Sequence, residues 1–320
     1  MSSPRIHLLS TINSAYLVPF RVAAQSLASC RALTTPITWH VFEHDLSTED
    51  KAIVEAQCAR SAIDIAWYRS TFELLTDLPV SGRSEVSMYV RLVALDRLPS
   101  SLTRVIYLDG DLLFLDAIDD LWNTDISGSV VGAVQDAVIP WVSSPMGLRR
   151  HRELGYRPTD PYFNAGVLVV DLDAWKSGRV EEKAIAYLQR HQRAVNMADQ
   201  DALNAVLRGR WTRLADRWNI IGGAAGRAHF RPRGVEQARI TAAVDDPAII
   251  HFAGYLKPWL YSGLGSLWAR AYADCLTQVC PDHTFERSAR ARVTSFYDRS
   301  LRTYLYPLER LAWRASHYRR

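Results

Sequence analysis

Cysteine is scarce in this chain, and what there is falls in no functional pattern. The four thiols, Cys30, Cys58, Cys275 and Cys280, contain no Cys-x-x-Cys pair, which excludes a zinc ribbon and a dense disulfide framework. Long apolar runs are also missing. The stretch behind the N-terminus, Ile6 to Leu9, is too brief for a signal-peptide core, and no segment approaches the ~18 uncharged apolar residues of a bilayer span. A cytoplasmic, reducing location is the expectation. Internal repeats and low-complexity linkers are absent. The first strand-like run lacks a following Gly-x-Gly-x-x-Gly, which argues against a dinucleotide-dependent dehydrogenase.

What is present is an ordinary globular composition, with 48% hydrophobic and 22% charged residues in a chain of 320. Ten tryptophans and fourteen tyrosines supply surfaces for flat or sugar-like ligands as readily as for a large core. The net charge of +4 is unevenly spread. From Phe285 to Arg320 nine arginines face three acidic residues, so the tail carries +6 and the first 284 residues sum to −2. A near-neutral body does not suit nucleic acid.

Short apolar, β-rich runs alternate with helical periodicity. Arg5–Ser10, Thr38–Phe42, Ile63–Trp67 and Arg104–Leu108 read as strands, and Tyr16–Ala32, a segment after Ser47 ending near Arg60, and Tyr89–Leu98 read as helices. That alternation predicts an α/β fold with a parallel sheet, whose ligands sit beyond the carboxyl ends of the strands.

Three constellations lie where apolar runs break into polar residues. In Tyr107-Leu108-Asp109-Gly110-Asp111 two carboxylates flank a glycine directly after a strand. Crowding two like charges against a core is costly unless a cation balances them, and Asp-x-Asp can offer both side chains to one hard divalent ion. In Ile250-His251-Phe252-Ala253-Gly254-Tyr255-Leu256-Lys257-Pro258-Trp259 a histidine closes an apolar run. His251 is a candidate third ligand, Lys257 a counter-charge for a diphosphate, and Gly254 a point of close backbone approach. Carboxylate plus imidazole favours Mn²⁺, with Mg²⁺ as the alternative. The third set joins Phe163-Asn164-Ala165-Gly166 with Asp199-Gln200-Asp201-Ala202-Leu203-Asn204. Amides and carboxylates together provide the donors and acceptors that sugar hydroxyls need; helix capping is the competing use for Asp199 and Asp201.

Taken in order, these segments resemble family 8 glycosyltransferases, from the N-terminus to about Trp268. The resemblance implies a GT-A, Rossmann-like nucleotide-sugar transferase fold over residues 1–268, followed by a basic helical tail over 269–320. It also implies a UDP-hexose donor (galactose or glucose), Mn²⁺, retention of anomeric configuration and a saccharide or lipid-linked glycan acceptor. By position, Asp109, Asp111 and His251 hold the metal, with Asp109 also near the ribose. Gly254 and Lys257 meet the diphosphate, beside the close approach that Gly110 allows a phosphate, and Asn164, Ala165, Asp199 and Gln200 surround the sugar, with Gln200 on the face where a nucleophile would be expected. Arg91 matches the family's sugar- and phosphate-binding arginine. The nucleotide loop departs from the family pattern: where an Asp is usual, this chain has Thr11-Ile12-Asn13-Ser14-Ala15-Tyr16, so Thr11 and Asn13 would meet the uracil and Tyr16 stack on it.

Asp136, after the run Val130–Val134, is placed to orient an acceptor hydroxyl. A non-catalytic UDP-sugar or glycan-binding module is the alternative function. In the tail, Tyr297, Leu301, Tyr304, Leu305 and Leu308 make one apolar helical face among arginines, with Pro307 kinking it. Such a face suits an anionic membrane surface, at about 1 kcal/mol per basic residue. Peripheral binding at the inner face of the plasma membrane is the corresponding expectation.

Overall fold

The computed structural model describes residues 5–30, 35–70, 75, 77–78, 86–221, 235–254, 257–260 and 268–285. The chain opens with β1 (Ile6–Asn13), α1 (Leu17–Cys30), β2 (Ile37–His44), α2 (Thr48–Ala59) and β3 (Ile63–Arg69). Ser47 and Asp50 close a reciprocal capping box at the start of α2, as their three-residue spacing permits. Then come α3 (Val90–Ala94), β4 (Arg104–Leu108), β5 (Leu112–Phe114), α4 (Asp119–Trp122) and β6 (Val131–Gln135). The second half holds β7 (Phe163–Asp171), α5 (Leu172–Ser177), α6 (Val180–Arg190), α7 (Ala198–Val206) and β8 (Trp211–Arg213). It ends with β9 (Ile220–Ile221), α8 (Val235–Asp245), β10 (Ile249–His251) and α9 (Ala269–Val279).

Seven strands form one sheet in the order β3-β2-β1-β4-β7-β6-β8. Both faces are covered, which is why its strands read as near-continuous apolar runs. Val105, Tyr107, Leu168 and Val170 pack on one side with Leu92, Trp175 and Leu203 from the helices. Ile106, Leu108, Val167 and Val169 pack on the other with Phe20, Leu27 and Val54.

The expectation of a parallel sheet requires correction at one strand: β7 runs antiparallel to both neighbours, β4 and β6. The cause is the connection. Parallel neighbours require a crossover to the opposite edge, whereas residues 136–162 make turns without a helix and return the chain to the edge it left. Gln135 accordingly pairs with Phe163. The start of β7 therefore shares an edge with the ends of β1 and β4. Two further expectations, one helical and one for a loop, also shift. The segment expected to be helical over Tyr89–Leu98 is the five-residue α3 flanked by 3₁₀ turns, and Thr11–Asn13 continues β1 instead of forming its loop.

A three-stranded sheet, β5-β10-β9, closes over this edge. Helix α9, where the expected 269–320 extension begins, lies along α1: Tyr272, Leu276 and Val279 are buried, and Arg21 donates to the Val279 carbonyl at 2.5 Å. The tail residues Arg287 to Arg320, on which the membrane expectation rests, lie outside the described residues. No helix among the described residues is long and apolar enough to cross a membrane.

Candidate active site

Asp109 leaves the end of β4, and its N–H donates to the Gly166 carbonyl at 2.8 Å, tying the loop to β7. Asp111 stands one residue before β5. Antiparallel pairing then sets His251 of β10 opposite Leu112, and Phe252 N–H donates to the Asp111 carbonyl at 3.0 Å. As a result, Asp109, Asp111 and His251 each offer one ligand atom, all within 4.8 Å of one another. His251 Nε2 lies 3.3 Å from Asp111 Oδ1 and 3.5 Å from Asp109 Oδ2.

The other ring nitrogen fixes how this imidazole is presented. His251 Nδ1 is 3.0 Å from Asn219 Oδ1. Asn219 Nδ2 donates to Asn164 Oδ1 at 2.9 Å, so the amide can turn only its oxygen toward the ring. Nδ1–H therefore donates, and the Nε2 lone pair faces the two carboxylates, the arrangement a metal-ligating histidine needs. Gly166 supplies the space. A Cβ there would lie 2.3 Å from His251 Cε1 and 2.9 Å from Asp109 Oδ2.

Two cations flank the carboxylates. Arg91, buried on α3, donates to Asp109 Oδ1 at 2.9 Å and to the Ala165 carbonyl at 2.5 Å, and its Nε pairs with Asp199. Its guanidinium also lies 4.6 Å from the Tyr107 ring centre, and Tyr107 OH donates to Asp109 Oδ1 at 2.9 Å. Lys257 donates to Asp111 Oδ2 at 2.5 Å and to the Phe252 carbonyl at 3.0 Å. Burial alone would raise the Asp111 carboxyl, but the Lys257 ammonium beside it holds it well below the usual carboxylate range. Asp199 goes the other way: burial pushes it up to about 6, against the pull of Arg91 and with a further push from Asp109. Three carboxylates thus face two cations, with one negative charge left over. A divalent cation fits this donor set of hard oxygens and one imidazole, and it reverses the local sign toward one that attracts a diphosphate.

On the far side of Asn164 lies a pole made of amides and one carboxylate. Asn164 Nδ2 and Gln200 Nε2 both donate to Asp136 Oδ2, at 2.9 and 3.2 Å. Gln200 Oε1 accepts from Ala165 N–H at 3.0 Å, and Asn164 Oδ1 accepts from Gly166 N–H at 2.9 Å. Asp136 Oδ1 takes the N–H groups of Val138 and Ile139 at 2.7 and 2.8 Å. All four side chains, Asn219 included, are at most 8% exposed. A continuous hydrogen-bonded line therefore runs from Asp136 through Asn164 and Asn219 to His251.

The sequence-predicted residues divide clearly. Arg91, Asp109, Asp111, Asn164, Ala165, Asp199, Gln200, His251 and Lys257 converge, and Asp136 joins them. Tyr16 stands beside them: its ring meets Trp259 edge-on at 5.8 Å, with Lys257 Nζ 5.7 Å from its centre. Gly110 lies against Tyr16 and Ile12, where an added Cβ would come within 3.2 Å of Tyr16 Cδ1. Thr11 Oγ1 lies 3.3 Å from Tyr107 OH. Asn13 uses its side-chain oxygen on Tyr16 N–H at 3.2 Å, capping the turn that presents the tyrosine. Gly254 has φ +89°, a left-handed conformation that favours glycine. Tyr255 and Leu256 of the same motif lie outside the described residues. Asp201, inside α7, accepts from Tyr162 OH and from the N–H groups of Asn196 and Met197, so it ties down the turn that leads into the helix.

Sequence reasoning missed Asn219 and the role of Tyr107. Asn219 precedes a strand of two residues, too short for any periodicity to mark. Tyr107 alternates with the core residues of β4 and reads as one of them.

A metal-sized acidic cluster at the strand-end edge of an α/β sheet, with arginine, lysine and an amide pole around it, is the architecture of a nucleotide-sugar transferase. The sequence matches the model of glycosyl transferase family 8 over residues 7–263. The chain belongs to that family. It is 27% identical over 223 residues to general stress protein A of Bacillus subtilis, covering 69% of this chain and 75% of that protein. It is 28% identical over 200 residues to the lipopolysaccharide 1,2-glucosyltransferase of Escherichia coli, covering 62% of this chain and 57% of the enzyme. Among solved structures, a galactosyltransferase, LgtC, in complex with donor and acceptor sugar analogs superimposes with TM-score 0.74 at 23% identity, over 89% of this chain and 99% of that one. That likeness establishes the GT-A fold expected from the sequence.

Proposed function

We propose that the chain transfers a hexose, galactose or glucose, from a UDP-sugar to a saccharide or glycoconjugate acceptor, with retention and with Mn²⁺ as its ion. The observation that carries this is the two-poled site. Asp109, Asp111, His251 and Lys257 form an end suited to a metal diphosphate. Asp136, Asn164 and Gln200 form an end suited to sugar hydroxyls, and Arg91 with Asp199 lies between them.

When bound, a divalent ion at Asp109, Asp111 and His251 would neutralise charge on the departing diphosphate as a Lewis acid. The chain's own residues do the rest. Lys257 places a second positive charge beside that end and, with its side chain 14% exposed, is only partly screened by water. Asn219 keeps a proton on His251 Nδ1, so that Nε2 faces inward. Gln200 has its carbonyl taken by Ala165 N–H and its amide by Asp136, so it is held as an orienting group. An amide is a poor nucleophile in any case. Retention is therefore ascribed to front-face transfer, in which the leaving phosphate oxygen takes the acceptor proton. Asp136, with one oxygen locked by backbone N–H groups and the other turned to Asn164 and Gln200, orients the acceptor hydroxyl.

The test is a screen of UDP-sugars with Mn²⁺, reading UDP release with and without simple saccharide acceptors. Release from a UDP-hexose that stops in excess chelator is the expected result. Full activity in chelator would overturn the metal assignment, and binding without any turnover would favour a UDP-sugar-binding module.

A further inference from the structure

An arginine-rich surface built from two segments of the chain has no part in the chemistry above. The two are distant in sequence: residues 148–153, which hold Arg149, Arg150 and Arg152, and residues 190–193, which hold Arg190, His191 and Arg193. The fold locks them together. Arg149 Nε donates to Asn196 Oδ1 at 3.0 Å and its Nη1 to the Arg193 carbonyl at 3.3 Å, while Asn196 Nδ2 donates to the Gly147 carbonyl at 2.9 Å. Arg150, Arg190, His191 and Arg193 line one open hollow.

Five arginines and one acid, Glu153, give this surface a net charge of +4, whereas the first 284 residues as a whole sum to −2. The rest of that body therefore carries −6, and the patch stands against the general sign. Fold stability accounts for only part of it. Arg190 ends α6, where the helix dipole favours a cation, and Arg150 pairs with Glu153. Arg149, Arg152 and Arg193 are exposed, and none of them forms an ion pair among the described residues. The positive fields overlap: burial first, then Arg150 and Arg190, lower the pKa of His191.

The position of the patch gives it a meaning. Residues 190–196 lead straight into α7, which begins with Asp199 and Gln200. Residues 148–153 belong to the excursion that starts at Asp136 and ends at Asn164. Both supporting segments are thus continuous with the chain that forms the amide pole, and Asn196, which Arg149 grips, donates its N–H to Asp201, the neighbour of Gln200.

Resting on the transferase reading above, we propose that this arginine surface binds the acceptor beyond its reacting sugar, and that the acceptor is an acidic oligosaccharide whose phosphate or carboxylate groups meet Arg150, Arg190 and Arg193. A pre-ordered guanidinium surface suits such groups because each can be met by two parallel donors.

The experiment measures calorimetric binding of oligogalacturonate, with maltooligosaccharide of equal length as the neutral control, to the full chain at low salt. Three proteins are compared: wild type, the double variant Arg150→Gln/Arg193→Gln, and Arg179→Gln, which removes an exposed arginine from the opposite end of α6. The wild type and Arg179→Gln should bind the acidic probe saturably and ignore the neutral one. The double variant should bind about tenfold more weakly, the scale of one lost charge-assisted contact, while its acceptor-independent UDP release stays at the wild-type rate. Equal weakening in Arg179→Gln, or no saturable binding by the wild type, overturns the proposal. It also fails if the double variant loses binding to phosphatidylglycerol vesicles but not to oligogalacturonate, since the surface would then face a membrane. Failure of the transferase reading would show separately, as absence of UDP release from every UDP-hexose.

Discussion

Gly166→Ala adds one methyl group at the point where the candidate metal site has no slack. The new Cβ would lie 2.3 Å from His251 Cε1, 2.7 Å from Nδ1 and 2.9 Å from Asp109 Oδ2. Real carbon contacts are not that short, so either β7 or the imidazole must move. The ring cannot rotate freely, because Nδ1 is held by Asn219 and the residue is 3% exposed. Gly166 is itself pinned through both its N–H and its carbonyl, to Asn164 and Asp109. Overpacking of this kind costs about 1–3 kcal/mol in a close-packed interior. Displacing the ring also disturbs a ligand and its supporting hydrogen bond, changes that typically cost about 10–100-fold in metal affinity. Calorimetric titration of Mn²⁺ in the presence of UDP, together with urea unfolding of the metal-free protein, reads the two effects separately. The expected variant folds, is less stable, and binds Mn²⁺ at least about tenfold more weakly. Wild-type values for both quantities would refute the steric reasoning and, with it, the assignment of His251 as a ligand.

Asn219→Leu should leave His251 in place but release its tautomer, lowering Mn²⁺ affinity about 10–100-fold, whereas Asn219→Asp, which keeps an acceptor for Nδ1–H, should lose much less; equal losses in the titration would sink the tautomer argument. Asp111→Ala should abolish UDP release and also destabilise the fold, by up to about 3 kcal/mol, because it strands the partly buried Lys257 ammonium; denaturant midpoints test this, and Asp111→Ala/Lys257→Met should recover part of the loss. Gln200→Ala should lower kcat far more than it weakens UDP binding, so a collapse of UDP affinity with normal kcat would misplace the residue. Glu181, on α6, has its carboxyl pushed up to about 8, first by burial and then by a hydrogen bond and charge from Asp96. The folded state therefore keeps a proton that the unfolded chain releases near 4.5. That contribution to stability is fullest below pH 4.5 and fades as pH rises toward 8. Unfolding free energies of Glu181→Gln, measured across that range, should show a shallower decline than those of the wild type.

Much of this site was legible in the sequence because its residues sit where apolar runs end. Asp109 follows β4, His251 closes β10 and Asn164 is the second residue of β7, so the break in hydrophobicity marks each of them. The sign of the electrostatics was less visible. Asp109 and Asp111 look in sequence like two mutually repelling carboxylates, and by that reasoning removing one should relieve strain. In three dimensions each has its own cation, Arg91 for Asp109 and Lys257 for Asp111, and these partners lie 18 and 146 residues away. No local pattern carries that pairing. Strand direction was hidden for a similar reason. The run 163–171 announces a strand, but only the shape of the 136–162 connection decides which way it enters the sheet. Asn219 shows the limit of periodicity, since a single buried amide beside a two-residue strand is silent until its neighbours are in place.

The pairing of β5 with β10 has a temporal consequence. Leu113 and Ile250 are partners across 137 positions of chain, a contact of very high sequence separation whose closure comes late in folding. Asp109 and Asp111 are in place once β1, β4 and β7 have assembled, which needs the chain only to Asp171. His251 arrives after eighty more residues have been made. During synthesis the acidic loop therefore waits with Arg91 at hand but without Lys257 or the imidazole. A chain cut short before residue 249 would keep all seven strands of the large sheet and still lack the imidazole proposed as third ligand. If the proposed site holds an ion, a nascent chain would gain that capacity only once β10 has paired with β5.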